Sequence, residues 1–196
     1  MPRTARTPDL FDREAPPPLP EGFLYEPDFI TPHEERLLLE GISALEFGEV
    51  RMHGVAARRR VVQLGWRYSF DSRALTEGQA IPPFLAFLQE RAAAAAGVEA
   101  AEFSEVLVTE YRPGATIGWH RDAPPFGIVA GVSLASPCRF RLRRQAGDGW
   151  ERAEIVAEPR SLYVLAGESR TSWQHSIPAV ERLRYSVTFR TLRRRA

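Results

Sequence analysis

The chain has 196 residues, enough for one domain with a sizeable core and too few for two. Its 44% hydrophobic and 26% charged residues match globular proteins and exclude wholesale disorder, and no stretch approaches the ~20 apolar residues that span a bilayer, so no membrane association is expected. A net charge of +1 leaves any basic surface to local clusters, at Arg58 to Arg60, Arg139 to Arg144 and Arg193 to Arg195; every basic residue is arginine, a bias that by itself does not point to nucleic acid.

Residues 1–20 end in Ala15-Pro16-Pro17-Pro18-Leu19-Pro20 and predict a Pro-rich extended tail ahead of one domain over 21–196. They hold no apolar run of signal-peptide type, and Cys138 is the single cysteine, which excludes an intramolecular disulfide and a cysteine-rich zinc site. A reducing, cytoplasmic location is expected. Phe23 to Phe29 predicts a short strand. Thr31-Pro32-His33-Glu34 predicts a helix start, with Thr31 as cap, Pro32 in the first turn and Glu34 closing a capping box, and the helix runs to about Leu45. Arg60 to Phe70 alternates as a strand does. Pro82-Pro83 opens a second helix over Phe84 to Ala96, which Gly97 stops. From Glu102 onward short β segments follow near 106–111, 118–122, 128–134, 138–143, 154–156, 161–165, 175–177 and 185–192, separated by Gly, Pro, Ser and Asp turns. Helices first and about eight strands after them predict an α+β chain in which N-terminal helices brace a jelly roll.

Among the four histidines, His33 and His53 are expected at the surface, and His120 stands out in His120-Arg121-Asp122. Positions i and i+2 of an extended segment point the same way, so the imidazole and the carboxylate can share one metal ion, as in a non-heme iron site. Alone, such a triplet is common by chance. Its company changes the balance: a Tyr111-Arg112-Pro113-Gly114 turn upstream, then His175, then Arg184 and Arg190. On a strand Arg184 and Arg190 share one face while Tyr185, Val187 and Phe189 share the other. That pattern fits an ordinary amphipathic strand with solvated arginines, or a buried face whose arginines require anions. A dicarboxylic acid such as 2-oxoglutarate would satisfy both guanidinium groups.

The stretch Thr109 to Asp122, the segment Gly167-Glu168-Ser169-Arg170 before His175-Ser176-Ile177, and Arg184 to Arg190 resemble the AlkB family of Fe(II)- and 2-oxoglutarate-dependent dioxygenases, over roughly residues 21 to 196. The resemblance implies a double-stranded β-helix. It implies iron held by His120, Asp122 and His175, the distal carboxylate of 2-oxoglutarate held by Tyr111 and Arg184, and Arg190 near the keto-acid end. The chemistry implied is oxidative decarboxylation of 2-oxoglutarate by O2 to succinate and CO2, coupled to hydroxylation of a substrate C–H bond. A hydroxylated N-methyl group falls apart to formaldehyde and the free nitrogen. Thr109 stands where repair members often carry Asn, and Pro124 where many carry an acidic residue that reads a cationic base.

Gly65-Trp66-Arg67-Tyr68 resembles the family's nucleotide-recognition lid, at about 50–75. Trp66 and Tyr68 are then candidates for contact with a flipped alkylated base, although Trp66 also fits a core aromatic on a strand. Arg141 and Arg143, on alternate positions of one strand, are candidates for the same mouth or for plain surface. Trp119 and Trp173 flank ligand positions and are expected to pack behind the histidines. The function expected is repair of alkylated bases in single-stranded or flipped-base nucleic acid by a monomer. The alternatives are the same chemistry on tRNA or on protein side chains, and a non-catalytic nucleic-acid-binding homologue. A zinc hydrolase with the same triad would leave Arg184 and Arg190 unexplained.

Overall fold

The structure is a computed structural model, which describes residues 18–52, 55–68 and 74–193. Most of the Pro-rich tail, His53, Phe70, Arg194 and Arg195 lie outside the described residues. Twelve strands and three α-helices are described: β1 (Phe23–Glu26), α1 (Pro32–Ser43), β2 (Gly48–Met52), β3 (Val55–Tyr68), β4 (Leu75–Glu77), α2 (Ala86–Ala96), β5 (Phe103–Tyr111), β6 (Ile117–His120), β7 (Phe126–Leu134), β8 (Cys138–Ala146), β9 (Gly149–Ala157), β10 (Leu162–Leu165), α3 (Gly167–Thr171), β11 (Gln174–Ile177) and β12 (Arg184–Leu192).

The helices start and stop as their sequences require. Thr31 caps α1 through its side chain, which accepts from the Glu34 amide at 3.2 Å, while the Glu34 carboxylate accepts from the Thr31 amide at 2.7 Å. A 3₁₀ turn over Pro83–Leu85 leads into α2, and Gly97, at φ 68°, ends it in the left-handed region. Leu38 and Ile42 of α1 and Leu88 and Ala92 of α2, each pair one helical turn apart, are fully or almost fully buried.

The strands form two antiparallel sheets. The large one runs β1-β10-β7-β12-β5-β3-β2 with β4 paired to β3, and the small one runs β6-β11-β8-β9. From β5 onward the chain alternates between the sheets, β5, β7, β10 and β12 in the large one and β6, β8, β9 and β11 in the small one. That path is a double-stranded β-helix, as expected, extended at one edge by the long hairpin of β2 and β3.

Strand alternation gives the large sheet two different faces. Val106, Val108, Val132, Leu134, Val187 and Phe189 pack under the helices in one apolar cluster. A second cluster, with Tyr111, Val129, Phe140, Leu142, Tyr163 and Trp173, lies between the two sheets. Polar residues enter this second space: Glu105, Thr109, Ser133, Ser186, Thr188, Arg184 and Arg190 are all buried. A buried polar lining on the inner side of a β-helix marks where a ligand goes.

Candidate metal centre

β6 and β11 are neighbours in the small sheet, with His120 and His175 directly opposite each other. Their ring centres are 4.3 Å apart. β6 ends at His120, so Asp122 lies in the loop beyond it and not on the extended segment the sequence suggests. The loop nonetheless brings its carboxylate back: Oδ1 is 3.8 Å from His120 Nε2, and the ligand atoms of His120, Asp122 and His175 all lie within 4.8 Å of one another. His120 Nδ1 is 2.9 Å from the Gly118 carbonyl, which can only accept, so Nδ1 carries the proton and Nε2 presents its lone pair to the cluster. Phe140 stacks on His175 at 5.3 Å and 12°. Two imidazoles and one carboxylate brought this close are the donor set of non-heme iron(II) oxygenases.

Burial and neighbouring charges fix the protonation of this set. Burial alone would raise the Asp122 carboxyl, but Arg190, with His175, His120 and Arg170, outweighs it and holds the group well below the usual carboxylate range. Burial, and then His120, push His175 down to about 3. An anionic carboxylate and a neutral imidazole are the forms that bind a metal. Arg190 Nη2 is 3.3 Å from Asp122 Oδ1, and its Nη1 donates to Glu105 at 2.8 Å. Arg170, on α3, donates through one nitrogen to the carbonyls of Asp122, Ala123 and Phe126, at 3.3, 3.0 and 2.8 Å, and so pins the loop that carries the ligand.

Arg184 is fully buried. Its Nε donates to Ser133 at 3.2 Å, and its guanidinium lies 4.8 Å from the Tyr111 ring centre, Tyr111 being its direct cross-strand partner. Among the described residues neither terminal nitrogen of Arg184 has a hydrogen-bond partner. A buried cation with two open donors costs several kcal/mol unless an anion fills the fork, and a carboxylate fits that fork in bidentate fashion. Thr109 lies buried on the same inward face of β5, and Tyr163, buried beside Arg184 and Tyr111, has its phenol pushed up mainly by that burial. The site therefore fits both an iron(II) ion and a dicarboxylic acid, on the donor set and on the orphaned Arg184 nitrogens respectively.

Other expected residues fall elsewhere. Trp66 is 39% exposed, so it is not a core aromatic. It follows Gly65, at φ 73°, which pairs across to Glu105; a Cβ at Gly65 would sit 2.3 Å from the Ser104 carbonyl oxygen. The root of the β3–β4 hairpin thus touches the strand that carries Glu105. Arg141 and Arg143 are not brought to the metal side. Leu142 is the cross-strand partner of His175, so its two neighbours project from the opposite face of the small sheet. Trp119 is on that outer face with them, not behind His120, and only Trp173 packs inside. Glu105, Ser133, Tyr163 and Arg170 were not singled out from the sequence for the roles they have. For Glu105 a signal exists: it is the acidic residue on the face of β5 shared with Leu107, Thr109 and Tyr111, six before Tyr111, matching the six between Arg184 and Arg190.

This donor set beside a buried guanidinium with two open nitrogens fits an oxygenase that uses a 2-oxo dicarboxylic acid. The chain belongs to the 2OG-Fe(II) oxygenase superfamily, whose family model matches residues 22–190, and within it is similar to AlkB-like proteins. It is 27% identical, over 88% of its length and 56% of the relative's, to an alkylated DNA repair protein ALKBH8 homolog of Arabidopsis thaliana. To the tRNA (carboxymethyluridine(34)-5-O)-methyltransferase alkbh8 of Xenopus tropicalis it is 25% identical over 82% of this chain and 26% of that protein. To the mitochondrial alpha-ketoglutarate-dependent dioxygenase alkB homolog 7 of Mus musculus it is 37% identical over 46% of this chain and 41% of that one. The chain thus spans little more than half, or about a quarter, of the first two relatives. The solved structure of OsALKBH1 shares the fold, with a TM-score of 0.64 at 16% identity over 88% of this chain and 98% of that one. Iron(II), 2-oxoglutarate and O2 are the cofactor and cosubstrates of the superfamily, and the His120–Asp122–His175 donor set fits the iron. Among the described residues no helix is long and apolar enough to cross a membrane.

Proposed function

We propose that the protein oxidatively removes alkyl groups from nucleic-acid bases, with His120, Asp122 and His175 holding iron(II) and Tyr111, Thr109 and Arg184 holding the distal carboxylate of 2-oxoglutarate. The observation that carries the nucleic-acid reading is Trp66, an exposed indole on a hairpin rooted beside Glu105 and the metal centre, where an unstacked base can lie on it with Tyr68 nearby in the chain. The name of the Arabidopsis relative, which speaks of alkylated DNA repair, points the same way. When bound, iron(II) and 2-oxoglutarate activate O2, so that one oxygen atom enters a substrate C–H bond and the other the succinate formed with CO2.

The chain's own residues place and protect. Arg184 receives the far carboxylate and so fixes the direction in which the keto acid lies. Arg190 and Arg170 keep Asp122 anionic and its loop in place. Phe140, Leu142 and Val129 form apolar walls that exclude water from the oxidant. Once an N-methyl group has become N-hydroxymethyl, loss of formaldehyde needs no further residue.

Incubation with iron(II), 2-oxoglutarate and oligonucleotides carrying methylated adenine, methylated cytosine or etheno adducts is expected to release formaldehyde and succinate together, read by mass spectrometry, and Asp122→Ala is expected to abolish both. Full iron occupancy with no turnover on any alkylated DNA or RNA base would overturn the reading. The Xenopus relative's name favours tRNA as a second substrate class, and the same panel with methylated tRNA decides between them.

A further inference from the structure

The outer face of the small sheet carries a cluster that the metal centre does not use. Arg141 and Arg143 of β8 lie over the Trp119 ring, at 5.0 and 4.3 Å, and Arg143 lies also 4.1 Å from the ring of Trp150 on β9. Among the described residues each guanidinium is anchored at Nε, Arg141 to Ser176 at 3.0 Å and Arg143 to Gln174 at 2.8 Å. Trp150 is 40% exposed.

The charges of this sheet are unevenly neutralised. Arg139 is clamped by both oxygens of Glu154, at 2.7 and 2.8 Å, and Arg144 is held by Glu151 and Glu168, at 2.6 and 2.7 Å. Arg141, Arg143 and Arg152 make no ion pair among the described residues: Arg141 lies across from Glu154, whose two oxygens go to Arg139, and Arg143 and Arg152 are direct cross-strand partners of like charge. Like charges in that position repel unless an anion lies between them. Guanidinium forks match phosphate oxygens, and an indole face takes a base of any identity.

We propose that this face is a second contact surface for single-stranded nucleic acid, with phosphates on Arg141, Arg143 and Arg152 and a base stacked on Trp150. The face adjoins the metal centre: Trp119 precedes His120 and Gln174 precedes His175, so a strand with one base in the centre reaches the face by crossing the edge strand β6 within a few nucleotides. The choice of nucleic acid as occupant rests on the function proposed above, while the face itself is argued from charge and stacking.

The test uses the full chain and a fluorescein-labelled, unmethylated oligodeoxythymidine of about a dozen nucleotides, without 2-oxoglutarate, followed by anisotropy over a salt series. Trp150→Ala is expected to weaken binding about ten-fold. Arg152→Glu is expected to weaken it too and to lower the slope of log K against log salt by about 0.7, one phosphate contact for a single strand. Both positions are exposed, and unchanged circular dichroism melts confirm that the variants fold. Wild-type affinity and salt slope in both variants overturn the proposal. So does an oligonucleotide that fails to bind while phosphatidylserine vesicles or a poly-glutamate peptide bind through Trp150 and Arg152. Because the probe carries no alkyl group, absence of demethylation leaves this readout intact, and loss of the face with turnover of a methylated nucleoside retained leaves the proposed function standing.

Discussion

Arg184 and Arg190 share one strand face, yet they are in opposite electrostatic states. Arg190 is matched by Glu105 and Asp122, whereas Arg184 has two open nitrogens in a site with no access to solvent. Replacing a buried, uncompensated cation by an apolar residue of similar length removes a desolvation cost. Arg184→Met is therefore expected to leave the urea midpoint of the ligand-free protein unchanged or higher, while raising the KM for 2-oxoglutarate about 10- to 100-fold, the value of a charged hydrogen-bonded anchor of ~1.5 to 3 kcal/mol. His175 supplies a pH dependence. Its folded pKa of about 3 lies below the ordinary ~6.5 of histidine, so between those values the folded state binds fewer protons and stability falls as pH falls. Asp122, also depressed, adds to the same trend below about pH 4. The urea midpoint of metal-free protein is expected to be lower at pH 5 than at pH 7.5, and His175→Asn to flatten that difference. The face shared by the two arginines was legible from their even spacing; their different partners were not, because those depend on the register that sets Tyr111 opposite Arg184 and Glu105 opposite Arg190.

Short elements carry the positioning. The five-residue helix α3 holds Arg170 under the ligand loop, where one nitrogen serves three carbonyls. Arg170→Met leaves those carbonyls without their donor and is expected to cost about 2 to 3 kcal/mol in chemical denaturation and to weaken iron binding, read by calorimetry. On β7, Gly131 leaves room for a neighbour: a Cβ there would sit 2.2 to 2.6 Å from the ring and hydroxyl of Tyr163, its cross-strand partner. Gly131→Ala is expected to push that phenol toward Arg184 and Tyr111 and to reduce 2-oxoglutarate affinity more than stability. Local signals in the sequence located α1 and α2 within a few residues, because caps and glycine stops act over one turn. They missed α3, β2 and β4. A five-residue helix has too few turns to show a period, and β2 and β4 owe their pairing to β3.

The molecule as a whole has one packed layer between helices and sheet and a second, partly polar layer between the sheets. The first is built of apolar side chains, and the second also buries Glu105, Arg184 and Arg190. Iron(II) with an unreactive 2-oxoglutarate analogue at a hundred times its Kd is expected to raise Tm by roughly 5 to 10 °C, and Asp122→Ala to remove the metal's share of that shift. The jelly roll was legible because eight short segments with turn residues between them admit few closed arrangements. Which face of β8 looks inward was not, since Arg141 and Arg143 alternate with Phe140 and Leu142 and either set could have faced the mouth until pairing with β11 decided it. That same pairing bears on fragments of the chain. His120 and His175 come together only where β11 pairs with β6. A chain cut before β11 keeps two of the three donors, and it is expected to chelate iron(II) weakly where the full chain holds it at three points.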